Sequence, residues 1–83
     1  MWYVYVLRGR KEELYVGSTN DLRRRLSEHE RGKTESTRLR APFRLEAYVA
    51  VRDEATARSL EQYFKTGSGK AVLRKRMLPV TKE

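Results

Sequence analysis

An arginine and a histidine lie on the inward face of the first helix that the sequence predicts. Arg25 follows Leu22 by three residues and precedes His29 by four, so all three fall on one side of a helix. Held there at the edge of a domain, Arg25 could grip a phosphate group. The structural alternative is that its charged end extends into solvent while His29 bonds a carboxylate or a carbonyl. These residues alone leave both interpretations open.

A glutamate and two tyrosines offer complementary chemistry. Glu61 borders the buried face of the second predicted helix, where one carboxylate could bind a hard divalent cation such as Mg²⁺. It could equally pair with Lys65 or Arg58 on the helix surface. Tyr5 and Tyr15 occupy adjacent strands of a predicted hairpin, and two phenols beside a fixed cation could position or deprotonate an attacking water. Tyrosine is also frequent in strands for structural reasons, so this pair too has a structural alternative.

The elements that must position these side chains are expected in the order ββαβαα. Aromatic and β-branched runs predict strands, and apolar residues at helical spacing with polar caps predict helices. The three strands are expected over residues 2–7, 14–16 and 43–52. The first helix is expected to be about eleven residues long and to end at Gly32, and the other two are expected over residues 54–66 and 69–77. The fold class is therefore α/β: a small single domain with a three-stranded antiparallel sheet flanked by helices.

Capping residues and side-chain alternation give more local expectations. Asp53 is expected to cap the second helix and Ser68 the third, while Gly32 ends the first. Gly67-Ser68-Gly69 is expected to end the second helix and separate it from the third. Strict alternation in the third strand would place five apolar residues on one face: Phe43, Leu45, Ala47, Val49 and Val51.

Composition excludes several classes of protein. The 83 residues contain 19 Lys and Arg, 11 Asp and Glu, one His and no Cys, so disulfides, cysteine zinc sites and multi-histidine metal sites are excluded. No apolar run approaches the ~18 residues of a membrane span, and the first residues lack the charge of a signal peptide. We therefore expect a cytoplasmic protein with no membrane partner. Gly67-Ser68-Gly69-Lys70 fails the phosphate-loop pattern at Phe64 and Ala71, so no nucleotide cofactor is expected.

The positive charge is concentrated in two blocks. Residues 20–44 hold eight basic and four acidic residues, and residues 61–83 hold six and two, within a net charge of +8. A polyanion such as nucleic acid is the expected partner. The cations predicted to contact nucleic acid are Arg24, Lys33, Arg38, Arg40, Arg44, Lys65, Lys70, Arg74, Lys75 and Arg76.

Several of these segments, in this order, resemble the GIY-YIG nucleases over residues 2–77. Tyr3-Val4-Tyr5 stands where the first signature triplet falls, and Tyr15-Val16-Gly17 matches the second. The segment from Ser18 to Arg25, with Glu28-His29 and Gly32-Lys33, resembles the family's first helical motif. Leu60 to Gly69 resembles the C-terminal motif of the small standalone bacterial members, and the whole is similar to the N-terminal endonuclease domain found in the excinuclease. The resemblance implies a nuclease domain over residues 1–78 and a short tail over residues 79–83.

The resemblance also implies an activity and roles for five residues. The activity is that of an endonuclease that uses one Mg²⁺ or Mn²⁺ ion to hydrolyse phosphodiester bonds in DNA, with nicked, flapped or branched forms as candidate substrates. Tyr5 would act as general base or orient the attacking water, and Tyr15 would support it. Arg25 would stabilise charge on the phosphate, His29 would relay a proton or contact the phosphate, and Glu61 would bind the metal.

Two alternatives to an enzyme remain open. One is a non-catalytic DNA- or RNA-binding module that keeps the nuclease fold, and the other is a small interaction subunit. DNA is favoured over RNA by the resemblance only, and the oligomeric state is left open. With one domain in 83 residues, substrate recognition is expected to come from the basic loop around Arg38, Arg40 and Arg44 and from the third helix.

Overall fold

Three strands and three helices make up the structure, a computed structural model that describes residues 1–30 and 43–78. The strands are β1 (Trp2–Arg8), β2 (Leu14–Thr19) and β3 (Arg44–Val51), and the helices are α1 (Leu22–Glu30), α2 (Glu54–Phe64) and α3 (Gly67–Arg76). The sheet has the order β2-β1-β3 with antiparallel pairing throughout. The predicted fold class and element order are confirmed. The predicted basic loop, the Gly32 cap and the tail at 79–83 lie outside the described residues.

The two faces of the sheet are covered by different helices. Val4, Val6 and Val16 form a buried cluster with Ala57 and Phe64 of α2 and with Leu73 of α3. The opposite face carries Tyr5 and Leu7, which pair with Gly17 and Tyr15 of β2. Helix α1 packs on this second face, as the contact between Tyr5 and His29 shows. The alternation of β1 therefore separates an aliphatic core from a layer rich in tyrosine.

A bulge in β3 corrects the predicted alternation of that strand. Val6 pairs with Ala47, but the next residue of β1, Leu7, pairs with Leu45, so Glu46 is the extra residue. Leu45 consequently moves to the face of Leu7 instead of sharing a face with Ala47. The carboxylate of Glu46 lies 2.9 Å from Arg44 and is 8% exposed.

The turn from α2 into α3 differs from the prediction in two respects: the residue that caps α3, and the structural role of Gly69. Thr66, not Ser68, caps α3: its Oγ1 accepts a hydrogen bond from the Gly69 N–H at 3.0 Å, and the helix begins at Gly67. A Cβ at Gly69 would lie 2.5 Å from the carbonyl carbon of Tyr63 and 2.8 Å from Cα of Phe64. Gly69 thus allows α3 to approach the end of α2 closely and does not break a helix.

Side-chain caps begin the other two helices. Oδ1 of Asp53 accepts a hydrogen bond from the Thr56 N–H at 2.8 Å, which confirms the predicted cap of α2. Oδ1 of Asp21 accepts one from the Arg24 N–H at 3.1 Å and caps α1 in the same way. No helix within residues 1–30 and 43–78 is long and apolar enough to cross a membrane.

Candidate active site

Tyr5 lies at the centre of the constellation on the α1 side of the sheet. Its side chain is 1% exposed, and its hydroxyl lies 3.0 Å from Nε2 of His29. The same oxygen accepts a hydrogen bond from Nε of Arg25 at 3.4 Å. A Cβ at Gly17 would touch this hydroxyl and lie 2.6 Å from Cζ of the ring. The ring of Tyr5 therefore extends from β1 over the backbone of β2, and only a glycine fits beneath it.

His29 joins the two predicted tyrosines. Its ring centroid lies 5.7 Å from that of Tyr5 and 5.3 Å from that of Tyr15, both in edge-to-face geometry. The imidazole is 1% exposed. Because α1 places residues four apart on one face, Arg25 and His29 reach Tyr5 together, which is the inward placement that the spacing predicts.

Burial decides the protonation of this buried pair. It raises the pKa of the Tyr5 phenol; the hydrogen bond and charge of Arg25 act in the opposite direction, and the charges of Tyr15 and Glu61 raise it further. Burial and then the charge of Arg25 lower the pKa of His29. At neutral pH, Tyr5 is therefore a protonated phenol and His29 a neutral imidazole. Since the phenol oxygen accepts from Arg25, its own proton is assigned to the hydrogen bond with Nε2 of His29.

Arg25 is held from two sides. Besides the bond from Nε to Tyr5, its Nη1 lies 2.9 Å from Oε1 of Glu28, and its side chain is 33% exposed. The guanidinium thus keeps a fixed orientation while part of it remains accessible to an anion. Glu28, which is one turn from Arg25 on α1, was given no role by the sequence interpretation.

Glu61 is held on the other side of the sheet. Its Oε1 accepts a hydrogen bond from Oγ of Ser18 at 2.6 Å, and its Oε2 lies 2.8 Å from Nζ of Lys65. The helical ion pair considered from the sequence is therefore present, and a second partner from β2 is added. Burial acts to raise the pKa of Glu61, but the bonds from Lys65 and Ser18 lower it below its ordinary value. The carboxylate is ionised at neutral pH.

Strand β2 brings the two halves of the site together. Gly17 contacts Tyr5 on the α1 side, and the next residue, Ser18, contacts Glu61 on the α2 side, because successive strand residues face opposite ways. The phenol of Tyr5 is close enough to Arg25 and Glu61 for both charges to affect its pKa. In the sequence, Ser18 stands only at the start of the segment that resembles the family's first helical motif. Its position two residues after the buried Val16 was the available signal that it faces α2.

The basic residues predicted to contact nucleic acid differ in their exposure and in their ion pairs. Arg24, Arg44 and Lys65 each lie within 4 Å of a glutamate, at 3.8 Å, 2.9 Å and 2.8 Å. The basic residues of α3 are all exposed: Lys70, Arg74, Lys75 and Arg76. Lys33, Arg38 and Arg40 lie outside the described residues.

Relatives of this chain share both sequence and fold. A UPF0213 protein of Nitratidesulfovibrio vulgaris is 50% identical over 44 residues, which cover 52% of this chain and 40% of that protein. A UPF0213 protein of Clostridium perfringens is 38% identical over 66 residues, covering 78% of this chain and 71% of that protein. For other relatives, from Vibrio campbellii and Oceanobacillus iheyensis, the chain spans 62% and 49% of their length.

A solved structure and a domain family extend these matches. The solution NMR structure of a UPF0213 protein from Bacillus halodurans superposes with a TM-score of 0.57 at 35% identity, covering 90% of this chain and 84% of that one. Residues 1–76 match the GIY-YIG catalytic domain. A domain match over nearly the whole length, with a relative of the same fold, shows that this chain belongs to the GIY-YIG family of nucleases.

Proposed function

We propose that this chain is an endonuclease that hydrolyses phosphodiester bonds in DNA and depends on one divalent metal ion. The observation that carries the proposal is that an oriented cation and an ionised carboxylate flank Gly17 and Ser18 of β2. Arg25 bonds the Tyr5 hydroxyl that lies over Gly17, and Glu61 accepts a hydrogen bond from Ser18. Phosphodiester hydrolysis accumulates negative charge at the phosphate, so an arginine and a metal directed there supply the largest catalytic effect.

Glu61 would hold the ion. Its ionised carboxylate is a hard oxygen donor, which suits Mg²⁺ or Mn²⁺, and Ser18 fixes one of its oxygens. Among the described residues, no group of three His, Cys, Asp or Glu could form a complete metal site, so water and phosphate oxygens would complete the coordination. When bound, the ion would neutralise charge on the phosphate. Lys65 would then give up its bond to Oε2 of Glu61.

The exposure of the tyrosines supports a division of roles that differs from the one implied by the family resemblance. Tyr5 is buried and its hydroxyl is already bonded to Arg25 and His29, so it positions these two groups. Tyr15 is half-buried, so water can reach part of it. We assign orientation of the attacking water to Tyr15, and stabilisation of the phosphate charge to Arg25.

Cleavage assays with a matched pair of carboxylate variants test the proposal. Linear, nicked, flapped and branched DNA, and RNA, are incubated with Mg²⁺, Mn²⁺ or EDTA. Glu61→Gln should abolish cleavage with either metal, whereas Glu54→Gln should leave it intact. Glu54 lies on the same helix and also forms an ion pair, at 2.7 Å with Arg58, but it is far more exposed and lies outside the site. Arg25→Gln should lower the rate by about 10²- to 10³-fold, with the exposed Arg23→Gln as its control.

The ion pair between Glu61 and Lys65 favours a second candidate, a non-catalytic module that binds nucleic acid. A carboxylate already satisfied by Lys65 and Ser18 needs no metal for the fold to be complete. This candidate predicts binding that is equal in Mg²⁺ and in EDTA, with no cleavage of any substrate. Cleavage that persists in Glu61→Gln, in a preparation checked for contaminating nucleases, would overturn the assignment of Glu61.

A further inference from the structure

A cleft of about 390 Å³ lies between the edge of β2 that faces away from β1 and the two helices α2 and α3. Leu14 of β2 is half-buried and lines the cleft together with Val16, Phe64 and Leu73, which are 7%, 4% and 0% exposed. The cleft adjoins the candidate active site, because Lys65 lines it and contacts Glu61.

The rim of the cleft is cationic. Lys70 and Arg74 stand one turn apart on α3, about 6 Å along the helix axis. In the described part of the chain, neither forms an ion pair with a carboxylate. Glu13 also lines the cleft, and its Oε1 accepts a hydrogen bond from the Lys11 N–H at 3.0 Å. The cleft therefore combines apolar surface with two cations, Lys70 and Arg74. It is complementary to a ligand that has a flat, apolar group at one end and an anionic group at the other.

We propose that this cleft binds one unpaired nucleotide of the substrate strand, next to the scissile phosphate. Its base would lie against Leu14 and the small exposed edge of Phe64, and its phosphate would be held by Lys70 and Arg74. A base that enters a cleft cannot remain paired and stacked in a duplex, so the strand must be single or locally opened at this position. The inference rests on the proposed function in placing the scissile phosphate, but the binding itself needs no catalysis.

Binding in EDTA tests the inference separately from cleavage. A short fluorescent single-stranded DNA is titrated with the whole protein, and an abasic residue is moved along the strand one position at a time. A base buried in the cleft predicts one position at which base removal weakens binding about 5- to 150-fold, the range for loss of one stacked base. A fully paired duplex of the same sequence should bind more weakly and show no such position.

Two double variants of α3 that lose the same charge distinguish binding in the cleft from general electrostatic attraction to DNA. Replacing both Lys70 and Arg74 with glutamine should remove the effect of the abasic residue. It should also reduce the salt dependence of binding. The slope of log affinity against log salt concentration should become smaller in magnitude by about 0.7 for each phosphate that the variant no longer binds. Replacing both Lys75 and Arg76, which are exposed on the same helix but do not line the cleft, should preserve the effect of the abasic residue.

The possible outcomes distinguish the two proposals. An abasic scan without a weak position, or equal loss in both double variants, would show that the cleft does not hold a base, whether or not the protein cleaves DNA. A clear position in the scan with no cleavage under any metal condition would support the cleft and overturn the proposed activity. If cleavage occurs, it should fall at a phosphate that flanks the sensitive position.

Discussion

Replacing Gly17 with alanine should destabilise the protein, although the same change usually stabilises one. The φ angle of Gly17 is not in the left-handed region, so alanine would meet no backbone strain there. By restricting the unfolded chain, such a substitution normally contributes about 0.4–1 kcal/mol of stability. Here the added Cβ would touch the hydroxyl of Tyr5 and lie 2.6 Å from Cζ and 3.1 Å from Cε1 of the ring.

The geometry sets the size of the effect. Carbon atoms make favourable contact at about 3.5–4.0 Å, so the ring of Tyr5 must move by about 1 Å. Its side chain is 1% exposed and cannot swing into solvent without breaking its contacts. Overpacking of this kind costs about 1–3 kcal/mol, which leaves a net loss of about 1–2 kcal/mol after the gain expected for alanine. In a domain of this size, that loss lowers Tm by about 5–15 °C.

Thermal unfolding followed by circular dichroism measures this loss, with Gly67→Ala as the matched control. Among the described residues, and apart from its chain neighbours and the backbone of its own helix, no atom lies within 4 Å of a Cβ built at Gly67. That variant should therefore melt at or slightly above the wild-type temperature. Because a shift of about 1 Å at a catalytic constellation can cost about 10²-fold in rate, Gly17→Ala should also lose DNA cleavage. A variant that melts no lower than wild type would refute the placement of Tyr5 over Gly17.

Three further predictions concern the site and its support. Ser18→Ala should weaken Mn²⁺ binding by about 10- to 100-fold in calorimetry, because Glu61 loses the partner that orients it; unchanged affinity would exclude that role. Burial and then Arg25 lower the pKa of His29, so below about pH 6.5 the unfolded chain binds a proton more readily than the folded one. The free energy of unfolding should therefore fall as the pH decreases through this range. Denaturant titrations at several pH values should show a smaller decrease for His29→Gln than for the wild type, because the variant lacks the contribution of His29. Gly69→Ala should cost about 3 kcal/mol in urea unfolding, since the added Cβ meets the backbone of α2, and a smaller loss than for Gly17→Ala would contradict the close approach.

Local pattern accounts for most of the elements and for half of the site. The two-residue repeat of β1 separates Tyr5 from Val4, and the four-residue spacing of Arg25 and His29 correctly places both on one face of α1. The cap at Asp53 follows from its position before the apolar positions of α2. Each of these features depends on residues within one or two turns, or on the two-residue repeat of a strand, so neighbours in the sequence contain the information.

The remaining features depend on which elements meet. Glu46 is the extra residue where β3 pairs with β1, and nothing in the run from Arg44 to Val51 marks it. Thr66 caps α3, and Gly69 is buried, because α3 turns sharply onto the end of α2. At this turn the sequence indicates residues that suit a turn, but the contact that selects among them lies in another element.

By itself, the sequence determined the residue types, their spacing on each helix and strand, and the family to which they point. Only the tertiary structure decided how they act together. Ser18 and Glu61 are 43 residues apart, and packing of α2 against β2 makes them hydrogen-bond partners. Burial, which no local pattern measures, raises the pKa of Tyr5 even though Arg25 acts to lower it. The physical reason is that desolvation and through-space charge depend on what surrounds a group in three dimensions, whereas periodicity reports only which way a side chain points.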